Sequence, residues 1–334
     1  MKKNRVLAAP PLSEAGSARA SAESHGHWRL RITDRSRKTI NSLPNEGVGR
    51  MNREFRWAVT CLILVGCGLL SRRAPAQTPS PLQEWQYSGG VILARLFEPD
   101  LPRFRTVLGL GGDVQPIYDG ARAYRGQGGP VINIHYKDIA FIATGEGIGY
   151  NFLRGDHFQV GVGVAYDLGR KVKDDYTNLH GMGDIGAAPE AKVFGSWVLS
   201  RKFPLILRVD ARQFIGGAQG AVGDAAVYLP LPGSSRKFVM FAGPSVTVAT
   251  QRYLQTLYGV TARQSAASGH AVYLETRSGT LAAGAGFSAT RFLTSHWLVN
   301  LDMAISQIRG TPSRSPLIER RTQRVLALSF DYQW

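Results

Sequence analysis

Beyond residue 100 the chain is a succession of short segments in which apolar and polar positions alternate. Clear cases are VINIHYK (131–137), IAFIATGEGIGY (139–150), FQVGVGVAYDLG (158–169), AKVFGSWVL (191–199), LILRVDARQF (205–214), FVMFAGPSVTVA (238–249) and HWLVNLDMAISQI (296–308). A period of two gives each segment one apolar and one polar face, the mark of a half-buried strand. Turn signals divide them: Lys137-Asp138, Arg154-Gly155-Asp156, Pro232-Gly233-Ser234-Ser235 and Thr294-Ser295. Longer breaks fall near 170–182, 251–278 and 309–320, and no helix-period segment of useful length follows residue 80. The alternation is most regular at the very end, VLALSFDYQW, where Leu326, Leu328, Phe330 and Tyr332 lead to a terminal Trp334.

Half-apolar strands serve a soluble sandwich or a membrane barrel. Three features favour a closed antiparallel transmembrane β-barrel. Residues 77–334 hold 32 glycines, several in alternation (Gly145, Gly147, Gly149; Gly161, Gly163; Gly284, Gly286), which permit bends and close approaches in a barrel wall. Short and long connections alternate, as they do between periplasmic and outer ends. The last strand carries apolar residues at every second place before an aromatic terminus. Leu328, Phe330, Tyr332 and Trp334 thus form a barrel-assembly signal, facing lipid in the folded wall with the aromatic residues at the interface. Tracing strands back from an inward-running 321–334 puts every long break on one face and yields eleven strands, 139–150 counted as one. Residues 86–97, containing YSGGVILARLF, supply a twelfth. The alternative is ten, with the N-terminal segments tucked against or inside the barrel.

Residues 57–70, WAVTCLILVGCGLL, are apolar but too short to span a bilayer as a helix. A net-positive MNREFR precedes them and SRRAPA follows, so residues 51–76 read as a secretory signal with Ala74 and Ala76 at the small-residue positions of the cleavage site. Leu64-Val65-Gly66-Cys67 also fits a lipoprotein box. Residues 1–50 show no apolar periodicity and read as a mis-called or disordered extension, leaving 77–334 as the barrel. Both cysteines, Cys61 and Cys67, lie in the signal, so the exported chain needs no disulfide. The formal net charge of +16 divides unevenly. Residues 1–76 carry 14 Lys/Arg against 5 Asp/Glu, and the remainder 26 against 19. No basic helix or aromatic–basic motif accompanies it, and a nucleic-acid partner is not expected.

A three-residue turn at 200–202 would set Lys192 opposite Asp210 and Glu190 opposite Arg212, pairing opposite charges across two strands inside the barrel. GEGIG and GVGV open no predicted helix and so make no phosphate loop. The histidines have no ligand spacing, and Ser245 with His296 is a hydrolase pair only by proposal. No metal, cofactor or enzyme activity is expected.

The longest loop contains RYLQTLYGVT (252–261), followed by Gln264, Ala266, Ser268 and Gly269. Around it in order stand Tyr118-Asp119-Gly120, Gly149-Tyr150-Asn151, LHGMGD (179–184), DARQ (210–213), Gly216-Gly217, Gly243-Pro244-Ser245 and Ser315-Pro316-Leu317-Ile318. In these residues, from about residue 104 to the end, the chain resembles the MipA/OmpV family of outer-membrane proteins, the MltA-interacting proteins. The resemblance implies a non-enzymatic barrel in the outer membrane of a Gram-negative bacterium, inserted by the barrel-assembly machinery. It also implies a scaffold joining a lytic transglycosylase to a peptidoglycan synthase; the alternative is a small pore or solute channel. Arg252, Tyr253, Gln255 and Tyr258 are the candidate partner-binding residues, or else part of a plug within the lumen.

Overall fold

The computed structural model describes residues 102–200, 205–235 and 237–334, and in them twelve strands close into one antiparallel barrel. They are β1 (Phe104–Pro116), β2 (Tyr124–Tyr136), β3 (Ala140–Ala143), β4 (Gly147–Arg154), β5 (Phe158–Asp167) and β6 (Ala188–Val198). β7 (Ile206–Phe214), β8 (Ala221–Pro230), β9 (Phe238–Ala249), β10 (Gly279–Phe292), β11 (Trp297–Ile308) and β12 (Thr322–Gln333) complete the circuit. Each strand pairs with its sequence neighbours, and β12 closes on β1 through Leu110↔Phe330 and Val114↔Leu326.

Exposure divides the two faces in the sense opposite to a soluble protein. Outward-pointing Ile148, Leu328 and Phe330 are 61%, 55% and 48% exposed. Inward-pointing Glu190, Lys192 and Arg212 are 1%, 3% and 2% exposed. An apolar exterior around a polar interior is the pattern of a wall solvated by hydrocarbon. No described helix is long and apolar enough to cross a membrane; the crossing elements are strands. At the periplasmic end an aromatic group wraps the outside. Trp297 stacks on Phe330 with centroids 4.7 Å apart, and Tyr332 meets Trp334 edge-on at 4.6 Å. His296 stacks on Tyr332 at 5.4 Å, which leaves that ring only 8% exposed.

The strand count of twelve stands, but its composition differs from the sequence expectation. The segment 139–150 is not one strand. Gly145 and Gly147 have φ of 88° and 79°, so Thr144–Glu146 form a tight outward turn and divide the run into β3 and β4. Left-handed conformation, open to glycine at little cost, was hidden inside an alternation that suits a strand equally well. Gly149 has another reason: a side chain there would strike the Phe141 ring. The expected strand 86–97, the signal at 51–76 with Ala74 and Ala76, and Cys67 lie outside the described residues.

Candidate functional site

The functional candidates are the lumen and the cap that closes its outer mouth. In the lumen, the expected pairing of Lys192 with Asp210 and Glu190 with Arg212 is corrected by the register. β6 and β7 align Lys192 with Arg212, Phe194 with Asp210, and Glu190 with Phe214, two residues away from the tighter hairpin. The ladder closes at Leu199, whose N–H donates to the Leu205 carbonyl. The parity survives, so all four residues still face inward and are buried.

The shift makes a checkerboard. Like charges stand directly opposite each other, Lys192 with Arg212 across β6–β7 and Asp210 with Asp224 across β7–β8. Directly opposed like charges repel, so attraction has to run between other neighbours. Arg212 supplies it: its Nε lies 3.4 Å from Asp210 Oδ1 and its Nη2 donates to Asp224. Thr247 Oγ1 donates to the other Asp224 oxygen at 2.5 Å. From the β3–β4 turn Glu146 reaches Arg208 on β7 at 3.4 Å, and Arg208 sits 5.6 Å from the centre of the Phe194 ring. Asp224 and Glu146 escaped the sequence reading: Asp224 is the only charge in the apolar run 221–230, and Glu146 lay inside a segment read as one strand.

Above this network the outer loops fold together. Residues 251–278 contain helix α1 (Gln251–Tyr258) and helix α2 (Ala262–Ser268). α1 follows Thr250, whose Oγ1 accepts from Ala221 N–H at 2.8 Å and fixes the helix start to β8. α2 opens with a reciprocal capping box: Thr261 Oγ1 accepts from Gln264 N–H, and Thr261 N–H donates to Gln264 Oε1. It ends at Gly269, whose φ of 78° is the left-handed stop.

α1 packs down into the mouth. Leu254 and Tyr258 are buried among Phe214, Ala218, Val222, Leu281 and Ile308, and Tyr253 lies 5.1 Å from the Phe214 ring. Of the candidate loop residues, Tyr253 and Tyr258 thus point into the barrel, and Gln255 accepts from Glu275 N–H at 2.7 Å. Arg252 stays exposed and donates to Gln219 at 2.8 Å. Other loops lock onto this one. Arg170 donates to the Leu257 carbonyl at 2.9 Å, Gln264 to Met182 at 2.8 Å, Ser315 to Tyr258 at 2.6 Å, and Tyr273 to Thr311 at 2.5 Å. The Gly120 carbonyl accepts from both Glu319 and Arg320 N–H at 2.9 Å. The motifs scattered along the sequence at 118–120, 179–184, 216–217, 252–269 and 315–318 therefore converge on one cap.

Beneath α1 lies a cavity of about 30 Å³, lined by Asp119, Ser245, Thr247, Tyr258, Ser306 and Gln323 among others. That is room for a water or two and not for a solute. Burial pushes the Asp119 carboxyl from its usual 3.8 up to about 6, Arg212 pulling it down and Asp167 and Asp224 pushing it further up. Burial also raises the Tyr253 and Tyr258 phenols well above their ordinary value. The capped state therefore favours protonated Asp119. Its contribution is full below about pH 3.8 and fades as pH rises through about 6, an order-of-magnitude loss of about 3 kcal/mol. The protection of the α1 amides, with the intrinsic pH dependence of exchange divided out, is expected to fall between pH 4 and 7, and Asp119→Asn to flatten that fall.

Ser245 faces this inner cavity while His296 stacks on Tyr332 outside the periplasmic rim, so the two form no catalytic pair. Among the described residues no three His, Cys, Asp or Glu side chains form a metal cluster.

A closed barrel with an apolar outer face and a charged, capped interior defines the class: an outer-membrane β-barrel protein. The model of the family described as MltA-interacting protein MipA matches residues 108–334, more than half of the chain, and the chain belongs to that family. No curated protein matches it. Among solved structures it is similar to the NanC porin, at 10% identity over 67% of this chain and 98% of that one, with a TM-score of 0.35. It is also similar to OprB of Pseudomonas putida, at 8% identity, 78% and 100% coverage and a TM-score of 0.35. The translocator domain of the autotransporter NalP from Neisseria meningitidis aligns at 14% identity, 84% and 98% coverage and a TM-score of 0.35.

Proposed function

We propose that the protein is a non-conducting, non-enzymatic scaffold of the outer membrane that holds a lytic transglycosylase and a peptidoglycan synthase at its periplasmic side. The observation that carries this reading is the filled outer mouth: α1 packs into the barrel top, with a small cavity of about 30 Å³ beneath it. The family description, MltA-interacting protein, supports the partner class. Export through the segment 51–76 and insertion through the outward-facing Leu328 and Phe330 of the last strand complete the proposal. A pore is the second reading, favoured by the charged inner face of β6 and β7, but the cap stands across its path.

Affinity purification of the wild-type chain at native level from a murein-synthesising cell is expected to retrieve both enzyme classes. Retrieval of neither, from membranes in which the barrel is folded, rejects the scaffold role.

A further inference from the structure

The barrel wall is not of even height. β3 has four residues and its last pair with β2 is Ala143↔Asn133, yet β2 continues upward to Tyr124. On the far side β4 leaves β5 after Ile148↔Val164, while Ala165, Tyr166 and Asp167 go on alone with β6. Among the described residues, β3 and β4 thus leave the outer half of the wall two strands short. The notch spans three strand spacings, about 14 Å between the axes of β2 and β5. On the β2 side it runs for eight residues, Tyr124–Val131, about 26 Å along the strand.

The rim of the notch differs from the rest of the wall. Ile132 offers both its backbone groups to Thr144, with Thr144 N–H donating to its carbonyl at 2.8 Å and its N–H donating to Thr144 Oγ1 at 3.0 Å. By the alternation of the ladder, Gly128 and Gly126 turn their own N–H and C=O the same way, toward the gap. Neither glycine is required by its surroundings. A side chain at Gly126 would meet nothing nearer than 3.9 Å and one at Gly128 nothing nearer than 3.4 Å, and both have ordinary negative φ. Glycine weakens a strand, and where packing does not require it, it marks the approach of something else.

The depth is that of the hydrocarbon. Across β1, Gly128 is level with Leu328 and Gly126 with Leu326. Ile142, Ile148 and Val164, at the foot and far side of the gap, are exposed and apolar. At the top, where lipid head groups lie, stand the exposed cations Arg122 and Lys173.

We propose that this notch seats an outer-leaflet amphiphile with an anionic head and an acyl chain, the head against Arg122 and Lys173 and the chain along the glycine edge above the β3–β4 turn. An added peptide strand fits less well. Its ladder would meet Pro130, which has no N–H, two residues below the last glycine, too short a pairing to hold it. The polar lumen behind the edge is the setting in which open backbone is tolerated at membrane depth.

The test titrates the full folded barrel, in a neutral detergent, with oleoyl lysophosphatidic acid, oleoyl lysophosphatidylcholine and glycerol 3-phosphate, read by native mass spectrometry. The anionic lipid is expected to bind at least tenfold more tightly than the zwitterionic one, and glycerol 3-phosphate not at all at a hundredfold higher concentration. Gly126→Leu/Gly128→Leu fills the edge and is expected to weaken both lipids at least tenfold while the heat-modifiable barrel band persists. Arg122→Glu/Lys173→Glu, outside the wall, is expected to abolish only the preference for the anionic head, and it carries the test if the leucine variant does not fold. Equal binding of the two lipids overturns the proposal, as does binding of glycerol 3-phosphate as tight as that of the lipid. So does a disulfide formed between Gly128→Cys and a cysteine placed within residues 86–97, which would show the chain's own N-terminal segment filling the gap.

Discussion

Replacing residues 250–278 by an Asn-Gly turn is expected to convert a barrel that passes no steady current in a planar bilayer into one that does, with conductance rising at least tenfold. The excision is clean because Ala249 and Gly279 face each other at the last pair of β9 and β10, the spacing that a two-residue hairpin bridges without changing register. What leaves with the loop is Tyr253, Leu254, Leu257 and Tyr258, the side chains that fill the mouth against Phe214, Val222 and Ile308. Eight strands enclose a space that side chains alone can fill, and sixteen leave an aqueous channel; twelve lie between, so here the loop decides. The opened lumen would be lined by Glu190, Lys192, Arg208, Asp210 and Arg212, and its current is expected to depend on salt at low ionic strength. If the excised barrel is folded by heat-modifiable mobility and stays silent, α1 is not the seal. Steady current through the wild-type protein would instead promote the pore over the scaffold.

The fold was legible because a membrane barrel writes its two environments on alternate residues. Leu326, Leu328 and Phe330 point outward and Gln323, Val325 and Asp331 inward, as the period of two requires. Two things were not legible, for one shared reason. Alternation is blind to where a strand turns or by how many residues two strands slide. Gly145 and Gly147 continue the alternation of 139–150 while reversing the chain, and only their left-handed φ separates β3 from β4. Lys192 and Arg212 keep their faces whether the hairpin closes at Phe203 or Leu205, because a slip of two preserves parity. The cap was half legible: Thr261, Gln264 and Gly269 are the start and stop of α2 written in sequence, but the direction in which the preceding α1 packs is set by Phe214, Ala218 and Ile308, which lie far away in the chain.

Arg212→Met is expected to lower the unfolding free energy by about 3–5 kcal/mol, the scale of breaking a buried ion network on one side, when the barrel is unfolded by urea from lipid vesicles. Arg212 is 2% exposed and stands between two carboxylates that face each other across β7 and β8. Remove the guanidinium and Asp210 and Asp224 confront one another with the cation that separated them gone; one must take up a proton or admit water. Met keeps the volume, so cavity formation contributes little to the loss. The charge origin of the effect gives it a signature. The deficit should be smallest at low pH, where the carboxylates are neutral, and Asp224→Asn in the Arg212→Met background should recover part of it, because one of the two opposed charges is then gone while Thr247 Oγ1 can still donate to the amide oxygen. A double variant no more stable than Arg212→Met, with a loss that does not change between pH 4 and 8, would place the role of Arg212 in packing and not in charge.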